Sequence, residues 1–135
     1  STFLGVCETI CIPVQAELSF NPLDNAGNAE HRQIVASAFA ALPGEASDDF
    51  FASAIEADEN AILVEATLPA GSQAGDLFMA GSDTLMLGVP EPAGRSENGI
   101  LFKVPVVHRT GNAPESLAYT LVTSGGAVSG RIDLR

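Results

Sequence analysis

Apolar and polar residues alternate with a period of two through most of the chain beyond residue 50. Such a run can bury one face only as a strand in a sheet. Phe51, Ser53, Ile55 and Ala57 alternate with Ala52, Ala54 and Glu56, and Ile62, Val64, Ala66 and Leu68 alternate with Leu63, Glu65 and Thr67. Asp58-Glu59-Asn60 between them predicts a hairpin turn. A short strand is expected at 76–79 and another at 84–89, the latter ended by Pro90-Glu91-Pro92-Ala93-Gly94. Residues 100–107 read as a strand in which Pro105 predicts an edge position or a bulge. Leu117, Tyr119 and Leu121 alternate up to Thr123, Ser124-Gly125-Gly126 turns the chain, and Val128, Gly130, Ile132 and Leu134 return.

Helical spacing occurs once. Asn28 is a suitable N-cap for a helix over 29–42, Glu30 falls in its first turn, and Pro43-Gly44 stops it. Ile34, Val35, Ala38, Phe39 and Leu42 form one apolar stripe, expected to pack into the core. Nearer the N-terminus, Val14, Ala16, Leu18 and Phe20 alternate with Gln15, Glu17 and Ser19, so a strand is expected to begin just behind Cys11. Short strands at intervals of roughly ten residues favour an all-β fold. The expectation is an immunoglobulin-like antiparallel β-sandwich of about seven strands with one inserted helix. Residues 1–20 read as a cysteine-motif segment and first strand, a candidate end of a preceding unit. Residues 21–135 read as the immunoglobulin-like β-sandwich domain, with its helix near 29–42.

Charge narrows the partners. The 135 residues carry 17 acidic side chains against 6 lysines and arginines, a net charge of -11. A surface of that sign repels phosphate, which argues against nucleic acid and anionic membranes as partners. The excess is uneven: residues 1–60 hold ten acids and a single base, Arg32. No apolar run approaches the ~20 residues of a membrane span. The chain starts at Ser1 without a methionine, as a processed product or an excised piece of a longer protein would.

The one constellation with clear chemistry is Val6-Cys7-Glu8-Thr9-Ile10-Cys11-Ile12-Pro13, which holds both cysteines of the chain. Along one strand, cysteines four apart would have Cα atoms ~13 Å apart. A disulfide needs ~4.4–6.8 Å, so oxidation requires residues 7–11 to turn. So small a ring gains little loop-closure entropy, and short-range pairs suit reversible redox couples better than pure reinforcement. A local structural disulfide, two buried free thiols and a metal site are the competing readings. His31 and His108 are the only histidines and stand in no ligand spacing; both read as solvated. Asp48-Asp49 and Asp58-Glu59-Asn60 read as solvated turns, since no EF-hand loop surrounds them. No G-x-S-x-G elbow or phosphate-cradling glycine loop occurs. Phe3 and Leu4 are expected to make core contacts, with shielding of the cysteines as the alternative.

The run Gly5-Val6-Cys7-Glu8-Thr9-Ile10-Cys11-Ile12-Pro13, followed by Gln15-Ala16-Glu17-Leu18, resembles the cysteine motif in the periplasmic N-terminal region of DsbD and ScsB type thiol:disulfide interchange proteins. Leu68-Pro69-Ala70 leading into Asp76-Leu77-Phe78 resembles a segment downstream of that motif. The resemblance covers most of the chain and is specific around the cysteines. It implies that the chain is the C-terminal part of that region, in a bacterial inner-membrane protein facing the periplasm. It implies an immunoglobulin-like domain whose two cysteines, here Cys7 and Cys11, form the catalytic pair. These would take electrons from a membrane-embedded electron-transfer domain and pass them to periplasmic thioredoxin-like acceptors. No cofactor is implied. The best-known members have a longer spacing between the cysteines, which leaves open which one attacks first. Glu8 and the acidic surroundings oppose thiolate formation. No strong acidification of either thiol is expected, which suits a relay for reducing equivalents more than a strong oxidant. A non-catalytic immunoglobulin-like interaction module with a structural disulfide, and a copper-handling domain, are the alternatives.

Overall fold

β-Branched and aromatic residues at alternate positions produce strands over most stretches with that period, although the alternation expected over 13–20 leaves the strand after Ala16. The computed structural model describes residues 1–7, 11–19, 21, 23–24, 27–72, 75–112, 114 and 116–134, with Cys7 and Cys11 described through their backbone. The chain divides into two compact units, Ser1–Ala41 and Leu42–Arg135. This division falls just after the helix.

The first unit holds β1 (Thr2–Cys7), β2 (Cys11–Ala16) and α1 (Ala29–Ala40). β1 and β2 pair antiparallel with each other. Strand β1 was not expected, and β2 opens at Cys11 rather than behind it. Phe20, the last residue of the expected alternation, lies outside the described residues. The Asn28 side chain caps α1 by accepting from the His31 backbone N–H at 3.1 Å. No residue of α1 is buried. The stripe expected to be core is exposed: Ile34 by 60% and Phe39 by 69%. Phe3, expected in core contact, is exposed by 72%, and Leu4 is exposed as well. Helical periodicity fixes which face is apolar; it does not supply a surface to cover that face.

The second unit contains β3 (Gly44–Glu45), β4 (Phe51–Ala57), β5 (Ala61–Thr67), β6 (Asp76–Met79), β7 (Leu85–Leu87), β8 (Glu91–Arg95), β9 (Gly99–Arg109), β10 (Ser116–Thr123) and β11 (Gly126–Asp133). One sheet runs β3-β11-β10-β6 and the other β4-β5-β9-β7, with β8 also on β9. Every pairing is antiparallel except the short one between β3 and β11. The protein is thus all-β with one helix among the described residues. Short β3 and β8 carry no apolar alternation, and they raise the strand number above the expected seven.

One core fills the space between the two sheets. Ile62, Val64, Phe102 and Val104 from one sheet meet Leu117, Leu121, Val128 and Ile132 from the other. Each such side chain, fully buried, contributes about 1.5–3 kcal/mol. Among the described residues no polar or charged residue is buried. The Tyr119 hydroxyl reaches from β10 to the other sheet and accepts from the Ala52 N–H at 3.0 Å. Tyr119 stands opposite Gly130 in the ladder. A Cβ on Gly130 would lie 2.8 Å from the tyrosine oxygen and 2.9 Å from its ring. The glycine is there to seat the ring.

β9 is an interior strand, paired to β5 on one side and to β7 and β8 on the other, so Pro105 is not at an edge. Its carbonyl accepts from the Gly88 N–H at 2.7 Å. In an antiparallel strand the N–H and C=O of one residue face the same neighbour. The donor that proline lacks therefore faces the break between β7 and β8, where no ladder partner waits. The expected irregularity is beside it, as a register shift between Met86 and Leu87. β8 forms where a break was expected because Pro92 sits on an outer strand and Gly94, at φ 125°, absorbs a bulge.

The β4–β5 hairpin turns at Asp58. Its Oδ1 accepts from the backbone of Asn60 at 2.6 Å and Ala61 at 2.8 Å. These bonds, followed by weaker attraction from Lys103 and Arg109, hold its carboxyl below the ordinary aspartate pKa.

Gly130→Ala should destabilise the protein by about 1–3 kcal/mol through overpacking. Tyr119→Phe should cost about 1–3 kcal/mol by leaving the Ala52 N–H unpaired in the core. Both appear as lowered midpoints in urea unfolding. Because the Asp58 pKa is depressed on folding, its contribution is present above about pH 4 and is lost as pH falls below that value. Asp58→Ala should flatten that acid limb in unfolding curves taken at successive pH values.

Candidate functional site

Both candidate catalytic residues stand at the loop end of the β1–β2 hairpin. The register runs Thr2↔Ala16, Phe3↔Gln15, Leu4↔Val14, Gly5↔Pro13, Val6↔Ile12 and Cys7↔Cys11. The two cysteines are thus the closing pair of the ladder, joined by residues 8–10. β1 and β2 are antiparallel, so the two cysteines face each other across a ladder and do not follow one another along a single strand. Directly opposed residues of an antiparallel pair have Cα atoms about 4.5–5.5 Å apart. That lies within the ~4.4–6.8 Å a disulfide spans, where the same spacing on one strand gives ~13 Å. Glu8, the acid between the cysteines, lies outside the described residues.

The local sequence explains why the ladder is thin. Pro13 brings no N–H and Gly5 opposite it brings no side chain, so this rung gives little beyond backbone geometry. Val6, Ile12, Leu4 and Val14 are apolar and opposed in pairs, but all four are exposed. Cross-strand pairs give about 0.2–1 kcal/mol each, against about 1–2 kcal/mol of backbone entropy per ordered residue. A lone two-stranded hairpin is marginal in water. Closing a ring of this size adds on the order of 2 kcal/mol by the chain-entropy relation. That is small for a domain and large for a hairpin.

His31 lies in the first turn of α1 and His108 in β9 opposite Met86, both exposed. Among the described residues no group of three or more His, Cys, Asp or Glu side chains could hold a metal ion. Asp49 accepts from the Ser47 hydroxyl at 2.7 Å and Asp58 closes its own turn, so both serve local structure. A groove of about 810 Å³ on the second unit is lined by Glu45, Phe78, Thr120, Ser129 and Arg131 among others. Sequence reasoning did not find it, because its lining comes from outward positions of four strands whose pairing is set only by the fold.

No protein-family model, curated protein or solved structure matches the chain. No helix among the described residues is long and apolar enough to cross a membrane.

Because Cys7 and Cys11 are opposed, oxidation of the native chain should need no denaturant. Mild treatment with oxidised glutathione should yield a monomer with no free thiol, read as the absence of alkylation by mass spectrometry. A product dominated by intermolecular dimers would contradict the opposed placement of Cys7 and Cys11.

Proposed function

We propose that this chain is a periplasmic thiol–disulfide exchange domain of the DsbD and ScsB type, a protein-disulfide reductase component. It relays reducing equivalents from a membrane-embedded electron-transfer domain to thioredoxin-like acceptor proteins. Cys7 and Cys11 are its exchange pair. The observation that carries this reading is their opposition at the closing rung of an exposed hairpin. A pair so placed can close and open while the sandwich core stays unchanged, which is what repeated turnover needs.

The chemistry is balanced by two successive displacements. A thiolate of the reduced pair attacks one sulfur of the acceptor disulfide and releases the other as a thiolate, which takes up a proton. The second cysteine, deprotonated, attacks the mixed disulfide and displaces the acceptor's remaining sulfur. The pair ends as a disulfide and the acceptor as a dithiol, two electrons having passed. Renewal is the reverse exchange with the electron-transfer domain. Exposure of Val6 and Ile12 on the rung next to the cysteines leaves apolar surface for a partner protein to cover during exchange. The immunoglobulin-like reading of the sandwich is supported by strand order. β4-β5-β9-β7 opposite β6-β10-β11 repeats the ABED and CFG arrangement of constant-type domains.

Trapping tests the relay. One of the variants Cys7→Ser and Cys11→Ser should accumulate a reductant-sensitive adduct with a thioredoxin-like protein in the periplasm. The residue left in that variant is the attacking cysteine. If neither variant traps a partner, the pair is a structural disulfide in an interaction module and the relay reading fails.

A further inference from the structure

We infer that the Cys7–Cys11 pair is a redox clasp whose oxidation state decides whether the β1–β2 hairpin is formed. This rests on the exchange reading of the same pair and adds a conformational consequence to it. β1 and β2 pair with each other alone among the described strands. Every side chain described in them is exposed, including Phe3, Leu4, Val6, Ile12 and Val14. Their ladder therefore has no buried core beneath it. A two-stranded ribbon of this kind is marginally stable at best in water, so one crosslink can decide whether it is formed.

The cysteines occupy the rung nearest the loop, where a crosslink holds the strands in register. Two rungs further on stands Gly5↔Pro13, the weakest pair of the ladder. Transfer of two electrons and two protons from the pair to an acceptor disulfide makes the Cys7–Cys11 bond and leaves the acceptor as two thiols. The strands are then held together. Reduction by a dithiol donor breaks the bond, returns both thiols and lets the ladder open by local unfolding. Donor and acceptor proteins consequently meet two different surfaces at one site. The donor faces an ordered apolar ribbon and the acceptor an open, extended segment, which gives electron flow a preferred order of encounters.

Amide hydrogen exchange on the whole chain tests this, with dithiothreitol as the reducing probe. Amides of 2–7 and 11–16 should exchange about tenfold faster in the reduced chain than in the oxidised one, while β5, β9 and β10 stay unchanged. The double variant Cys7→Ser/Cys11→Ser should exchange at the reduced rate under oxidising conditions. A change below threefold in the hairpin, an equal change in the sandwich strands, or slow exchange in the double variant would overturn the clasp. Partner trapping without the exchange difference would leave the relay standing and remove the clasp. The exchange difference without trapping would do the opposite.

Discussion

The contact between Tyr119 and Ala52 joins the two sheets by carrying a polar group across the core. The ring has room because position 130 has no side chain, and its hydroxyl satisfies an N–H that would otherwise be buried unpaired. Around that point both sheets bury one face only. Ile62, Val64 and Val104 lose essentially all contact with water on one side, and Leu117, Leu121 and Ile132 do so on the other. Strand order follows from those two faces. β9 is central because it is the longest strand and can serve β5 along one edge while β7 and β8 share the other.

Much of this was readable from residue order. The alternation in β5 and β10 names the core positions, and Asp58-Glu59-Asn60 marks the hairpin whose turn the Asp58 carboxylate closes. What could not be read shares one cause: it depends on neighbours distant in sequence. Pro105 predicts an edge position or a bulge because a central proline forfeits a ladder bond. Only the pairing of β7 and β8 shows that its missing donor faces a gap. β1 escaped notice because Gly5 interrupts an otherwise continuous apolar run. The apolar stripe of α1 is present as written, yet Ile34 and Phe39 are exposed. The candidate pair is visible in the sequence as two residues and not as a geometry. Cys7 and Cys11 stand out by chemistry, but their opposition exists only once β1 is recognised as the partner of β2.

The two units divide the work along physical lines. The sandwich owes its stability to a continuous core and has no thiol among its described residues. The hairpin holds both cysteines and has no core of its own. A redox centre on a deep core would strain packing at each turnover. On a thin ribbon, forming or breaking one covalent bond is comparable with the whole local stability. Under the proposed relay, low local stability and reversible chemistry belong together.

The central claim is that Cys7 and Cys11 exchange electrons and do not merely brace the hairpin. Their equilibrium reduction potential, measured in glutathione buffers by counting alkylated thiols, tests it most directly. An exchange pair interconverts within the range of such buffers, with a potential above about -300 mV. A potential below that value, with the disulfide intact in excess reduced glutathione, would identify a structural brace and contradict the account.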